Sequence, residues 1–462
     1  MILHIYNRRV FIFFLALILF SGAKNSFARD VYVKLSSSGS YSIGITSGNL
    51  VMTDSEGRLA NLGDSANISV NNGVARIMGN SFFLPIRITG TGFLKFNGRT
   101  YRGAFLITQR AGLLNVLDLE QYVCGVLPGE VGASWPEQAL RAQAITARTY
   151  VLRQSLNRAE KGYDVVDTDA DQVYKGAGAE TEKTNRAVLS TASEVLTYGQ
   201  ELAQTYFHSD SGGHTANIKD VWGGDIPYLT GVPEVVNYKS PVSVWNARFT
   251  SERIQGVIKK VTGADIGKIK EIQVSDVDEG GRAINMTFIG ERATKTIKAS
   301  QFRTGLDPRT LKSTMFTPSG GNFNASDAGA GGRLVATQNK NSSAPKLTLE
   351  EEQQIAKMTA EGVFTTTEIL DMIRNPAKQK NYYETGRGRG SSNNSSSSTP
   401  AIKNKYGYSI EKSGNEFVFY GRGWGHGVGM CQWGSLAMAE QGWTAENILM
   451  HYYPGTVIKK FR

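Results

Sequence analysis

Between Gly421 and Gly429 glycine occupies every second position, in Gly421-Arg422-Gly423-Trp424-Gly425-His426-Gly427-Val428-Gly429, and Met430-Cys431-Gln432-Trp433-Gly434 follows directly. A period of two is the repeat of an extended strand, whose side chains alternate between faces. Read this way, one face is bare backbone against which a ligand or another segment can lie. The other face presents Arg422, Trp424, His426, Val428 and Met430 in a row. A tightly packed barrel corner is the alternative reading of the same spacing. The run does not fit G-x-G-x-x-G, because His426 and Val428 stand where the last glycine should be, so nucleotide binding is disfavoured.

The other end of the chain bears on its destination. Arg8 and Arg9 precede an apolar run from Val10 to Phe20, and Ser26-Phe27-Ala28 offers a small-x-small cleavage site, so residues 1–28 read as a secretory signal peptide cut after Ala28. The run is about half of the roughly 20 apolar residues a membrane span needs, which leaves an uncleaved segment as the only route to membrane attachment. The mature protein is expected to be exported to the periplasm, cell envelope or medium. Removing residues 1–28 takes away Arg8, Arg9 and Lys24 and no acid, so the formal charge falls from +10 to +7. In an exported protein that excess suits cell-wall polymers and lipid head groups, with nucleic acid disfavoured, or it is solubility charge spread over the surface.

Residues 30 to about 110 alternate apolar and polar positions between Ser, Gly, Asn and Asp clusters, as in Val31-Tyr32-Val33-Lys34-Leu35 and Ile43-Gly44-Ile45, and read as short strands. After Asp118 the pattern becomes helical. Ser134-Trp135-Pro136-Glu137 predicts a capping box opening a helix to about Asn157, whose interior alanines (139, 142, 144, 147) mark it as a buried central element. A second helix is predicted over Thr181 to Ser193, with strands at Val195–Tyr198 and Ala203–His208. Residues 318–405 are Gly-, Asn- and Ser-rich around a helical stretch from Thr348 to Arg374, and read as an insertion with flexible joints. The fold class is therefore α+β, with a short-stranded β-rich N-terminal region (29–92) and a mixed catalytic domain split into 93–317 and 406–462. That domain would hold the central Ala-rich helix and the Gly-rich strand.

Two further stretches carry chemistry. Glu130 lies between an apolar run and the predicted helix, where it serves either as a desolvated acid and base of raised pKa or as a carboxylate completing helix electrostatics. Tyr206 to Thr215 packs His208, Ser209, Ser211, Gly212, Gly213 and His214 into ten residues. His208, His214 and Asp220, spaced by six and six, are candidate zinc ligands, although without HExxH logic; the alternatives are a hydrogen-bonded loop and a Ser-His-Asp site without its G-x-S-x-G elbow.

Four motifs in order resemble the stage II sporulation protein D / LytB family of cell-wall proteins: Leu119 to Glu130, Ala139 to Tyr150, His208-Ser209 with Gly212-Gly213, and Gly423 to Gly429. The resemblance implies a lytic transglycosylase that cuts between N-acetylmuramic acid and N-acetylglucosamine and leaves a 1,6-anhydro ring, acting on strands stripped of stem peptides. It places the catalytic carboxylate at Glu130 and an assisting guanidinium at Arg148. Tyr150, His208, Ser209, Ser211, Gly212, Gly213, Trp424, His426 and Gln432 would bind substrate. Some relatives hold a metal in the His208 loop through cysteines absent here, so no cofactor is expected, with zinc on His208, His214 and Asp220 as the exception. Cys124 and Cys431 sit in or beside the shared motifs and are expected to pair. The alternative function is a non-catalytic wall-binding stimulator of an N-acetylmuramoyl-L-alanine amidase. The partners are then glycan strands and, in that reading, a cell-wall amidase.

Overall fold

The computed structural model describes residues 29–317, 383 and 410–461. Residues 1–28, expected to be a signal peptide, lie outside this range, as does the expected insertion 318–405 apart from Tyr383. The chain divides into one compact unit of Met1–Arg333 with Tyr406–Arg462 and another of Leu334–Lys405. The fold below is that of the first unit.

The alternating N-terminal sequence forms two antiparallel-built sheets that share one core. A seven-stranded sheet has Gly112–Asp118 paired on one side with Asp30–Ser36 and on the other with Ala104–Thr108. A six-stranded sheet is built around Ser40–Ile45 and Ser65–Asn71. Inward residues of both, Val31, Val33, Ile86 and Ile88 from one and Tyr41, Ile43 and Ile68 from the other, pack into a single cluster. Strand Leu94–Phe96 pairs with Ser40–Ile45, Ile43 facing Phe96. Strands through Asp118 thus complete these same sheets, and the β region closes at Asp118 rather than at residue 92.

Asp118 ends the last of these strands and begins helix α1 (Leu119–Glu130), accepting hydrogen bonds from the Glu120 and Gln121 amides as its N-cap. Helix α2 (Glu137–Asn157) has the predicted length, but Pro136 occupies the N-cap position and no side chain caps it, so the Ser134 capping box does not form. Its small residues let neighbours approach on nearly every side: α1, α3 (Glu182–Ser190), the strand Glu194–Tyr198, and two C-terminal helices all pack on it. The Thr181 capping box opens α3, which stops at Ser190, three residues short of the predicted end.

Residues 218–306 add α4 (Ile218–Val221), α5 (Ser251–Thr262) and α6 (Ala299–Leu306). The latter two cover a three-stranded sheet of Ile269–Val277, Ala283–Gly290 and Thr294–Lys298, giving a second core. The chain then returns through Glu416–Gly421, paired with Trp245–Thr250. It finishes with α7 (Gln432–Glu440), α8 (Ala445–Tyr452) and the strand Val457–Lys460, which pairs with Glu194–Tyr198. The architecture is α+β, as the patterning implied. The glycine-rich run departs from an extended strand. Gly423, Gly425, Gly427 and Gly429 all have positive φ (70°, 130°, 87° and 72°), so the segment coils. Gly421 still ends the strand paired with Trp245–Thr250, and from Arg422 on the run pairs as β at Met430–Cys431 and through single bridges at Trp424 and Val428. Among the described residues no helix is long and apolar enough to cross a membrane.

Candidate active site

Glu130 is the last residue of α1, and its side chain is partly buried. The segment after it is pinned close: a Cβ at Gly129 would sit 2.2 Å from the Val173 carbonyl oxygen, so only glycine admits that strap against the helix end. From the strap the Val173 amide donates to Glu130 Oε1 at 2.6 Å. Burial pushes the Glu130 carboxyl up to about 7, against the lowering effects of the Val173 amide and the Gln432 side chain. Asp169 adds a smaller upward push and Lys175 a smaller downward one.

The strap is held residue by residue. Asp171 accepts from both terminal nitrogens of Arg158, from the Val166 amide and from the Tyr150 hydroxyl. Gln172 accepts from the Tyr122 hydroxyl at 2.9 Å, and Tyr174, stacked on Tyr122, donates to Asn115. Tyr150 therefore braces the strap with its hydroxyl already engaged, and its ring is buried.

Gln432 reaches Glu130 because of a second local structure. The two-residue strand Phe207–His208 pairs in parallel with Met430–Cys431, and the Trp433 amide donates to the Ser209 carbonyl. Two residues on from His208, Asp210 and Trp424 exchange both backbone hydrogen bonds. Cys431 then caps α7 through its sulfur, which accepts from the Gly434 and Ser211 amides at 3.3 Å each. Behind it Ser211 and Tyr452 donate to the buried Glu234 at 2.6 Å each, and burial pushes that carboxyl up to about 7 as well. Gly212 donates to Asp210, and Gly213 donates to Ser211 Oγ. Ser211, Gly212 and Gly213 thus shape the backbone under the site.

Two groups of aromatic rings lie on these segments. Trp135, five residues after Glu130, packs on Trp433 with ring centres 5.5 Å apart. His208 and His426 are 5.5 Å apart, and Trp222 packs 4.9 Å from both His426 and Tyr206 while staying 48% exposed. His208 turns Nδ1 to the Val428 carbonyl, and His426 Nδ1 accepts from the Val428 amide. Burial, with Arg282 and Arg303 nearby, drives both imidazoles down, His426 to about 3, so both are neutral near pH 7. Trp135, Trp222, Trp433 and the Asp171–Tyr174 strap escaped sequence reasoning.

Three expectations are overturned. Arg148 is fully buried and forms a two-pronged ion pair with Glu120 (2.9 and 2.6 Å), with further bonds to the Glu194 and Val188 carbonyls. Glu120 and Glu130 stand at opposite ends of α1, roughly 15 Å apart at 1.5 Å per residue, so the guanidinium serves the scaffold and not the acid. Cys124 and Cys431 are both free and buried. Cys124 lies on α1 among Glu120, Glu180 and Arg102, its thiol pushed up to about 12 by burial, whereas Cys431 is spent on the α7 cap. Nor do His208, His214 and Asp220 converge: His214 turns Nδ1 to the Thr215 carbonyl, Asp220 sits in α4, and no three His, Cys, Asp or Glu side chains among the described residues are grouped for a metal.

Residues 108–198 match the family described as Stage II sporulation protein. Over longer stretches the chain is similar to an uncharacterised protein of Brachyspira hyodysenteriae, 26% identical over 366 residues covering 78% of this chain and 73% of that one. It is 27% identical to stage II sporulation protein D of Bacillus subtilis over 74% of this chain and 75% of the relative. It is also 28% identical to the amidase enhancer of Bacillus subtilis over 73% of this chain, which spans only 40% of that longer protein.

Proposed function

The chain is a relative of the stage II sporulation protein D and amidase-enhancer proteins and has a role at the cell wall; from that kinship and the site's geometry we propose that it is a peptidoglycan lytic transglycosylase with Glu130 as its single acid and base. The observation that carries this reading is the Glu130 carboxyl itself, lodged against the Val173 amide and the Gln432 side chain with its pKa raised to about 7. Near neutrality such a group is divided between its two forms, as the reaction requires. Protonated, Glu130 gives its proton to the glycosidic oxygen as the bond from the anomeric carbon breaks. The resulting carboxylate takes the proton of the C6 hydroxyl of the same muramyl ring, whose oxygen closes onto the anomeric carbon. The 1,6-anhydro ring forms, Glu130 regains its proton, and no second carboxylate has to activate water. Gln432 and the Val173 amide stabilise the ionised form between the two transfers. Trp135, Trp433, Trp424 and Trp222 supply the flat apolar surfaces that pyranose rings pack on.

The pH profile tests this. With protonated Glu130 as the acid that starts the reaction, kcat/KM for glycan cleavage is level below about pH 7 and falls about tenfold per unit above it. A profile unchanged from pH 6 to 9 would remove Glu130 from that role.

Similarity to the amidase enhancer favours a second reading, in which the same site holds glycan and the chain stimulates a wall amidase without cutting. Either reading places the protein in the cell envelope or outside the cell.

A further inference from the structure

The second core reaches the site through one side chain. Arg282 stands at the tip of the hairpin formed by Ile269–Val277 and Ala283–Gly290. The Asp278 amide donates to the Arg282 carbonyl at 2.9 Å, and the Asp278 carboxylate accepts from the Arg282 amide at 2.8 Å, which fixes the tip. The tip presses on the His208 loop, since a Cβ at Gly280 would sit 2.5 Å from His214 Cβ. From there the buried Arg282 side chain lies against the glycine coil, where a Cβ at Gly427 would sit 2.7 Å from its Cζ. Nη2 donates to the Ser211 carbonyl at 2.5 Å and reaches the His214 carbonyl at 3.5 Å. Nε and Nη1 are buried without a hydrogen-bond partner. Burial pulls the pKa of this guanidinium down, against the pull of Asp278 and Asp210.

A buried guanidinium with two idle donors costs stability that an apolar side chain of similar volume would not. What the guanidinium alone supplies is a donor for the Ser211 carbonyl. Ser211 is thereby held at both ends, its amide on Cys431 Sγ at 3.3 Å and its carbonyl on Arg282. Gln432 follows Cys431, and the amide of the next residue, Trp433, is bound by the Ser209 carbonyl, so both neighbours of Gln432 are tied to this loop. Gln432 Nε2 is buried and has no partner apart from the Glu130 carboxyl.

We propose that Arg282 is a positioning residue for the reaction above: by tying Ser211 to the hairpin it holds Cys431, and with it Gln432, against Glu130. The inference rests on Glu130 as the acid and base. The other titratable groups that face Glu130, namely Asp169, Lys175 and Tyr122, belong to α1 and to the stretch before Gly176, not to the His208 loop.

The test titrates Glu130 directly, by NMR of the mature chain labelled at its glutamate carboxyls, with Glu130→Gln assigning the signal. Gln432 bonds the ionised form, so letting it drift moves the Glu130 midpoint up; general loosening that admits water relieves burial, the larger cause, and moves it down. Arg282→Met should therefore raise the midpoint by about 0.5–1 pH unit, and the falling limb of kcat/KM with it. Gln432→Leu should give the same rise, and adding Arg282→Met to it none further. Arg282→Lys, whose ammonium can meet the Ser211 carbonyl but cannot lie along Gly427 as the guanidinium does, should give a smaller rise, and it decides the question if the methionine variant does not fold. A midpoint that stays or falls in a folded Arg282 variant, or a rise that persists in full with Gln432→Leu, overturns the positioning role and leaves the glycan reading standing. The expected shifts in a protein that cuts no glycan uphold the hold on Gln432 and overturn the reaction.

Discussion

Glu130→Gln yields a folded protein whose glycan cleavage falls by about 10²- to 10⁴-fold, the range attached to removing a general acid and base. The substitution isolates the proton. Glutamine has the same shape, its carbonyl oxygen can accept the Val173 amide as Oε1 does at 2.6 Å, and its amide can face Gln432. Stability moves the other way. A carboxyl whose folded pKa is about 7, above its ordinary value of 4.5, binds more protons folded than unfolded between those limits, so its contribution weakens as pH rises through that window. At pH 8 wild type holds an ionised, partly buried carboxylate, and the variant should melt no lower. Activity assays paired with thermal melts at pH 8 check both halves. A variant that cuts at the wild-type rate would assign the site to binding alone.

Arg148→Met should cost about 3–5 kcal/mol of stability, because it leaves Glu120 facing the protein interior without its partner and leaves the Val188 and Glu194 carbonyls without a donor. The Glu120 side chain retains 21% exposure, which puts the loss toward the lower end of that range. The double variant Glu120→Met, Arg148→Met removes both charges and should recover more than half of the loss, since hydrophobic replacements of buried pairs are often tolerated. It should also cut glycan, because the pair stands about 15 Å along α1 from Glu130. Denaturant melts and cleavage assays on the single and double variants separate the roles. A single variant as stable as wild type but inactive would return Arg148 to the catalytic machinery.

That pair shows how far the sequence could be read. The end of α2 was legible at Asn157, because its alanines set helix propensity locally, whereas its start falls two residues past the one that a Ser134 capping box implies. Glu130 stood out as a carboxylate between an apolar run and a helix, but that the run before it is itself helical and ends on it was not legible. Which acid Arg148 meets was not: Glu120 and Glu130 sit on the same helix, and only the packing of α1 on α2 selects between them. The strap at Asp171–Tyr174 has no periodicity, and its order comes from partners as distant as Asn115 and Arg158. The glycine run misled in a specific way. A period of two is shared by strands and by a coil in which every second residue needs positive φ, and glycine permits both. The coil sets Trp424 beside Asp210 and His426 beside His208, residues that flat pairing would have placed elsewhere.

The most direct test of the account is the chemistry of the ends it leaves. Peptide-free glycan strands incubated with the mature protein and examined by mass spectrometry should yield fragments ending in 1,6-anhydro-N-acetylmuramic acid, each lighter by one water than its hydrolytic counterpart, and none with Glu130→Gln. Fragments with ordinary reducing ends, or uncut strands from a protein that still stimulates a wall amidase, would contradict it.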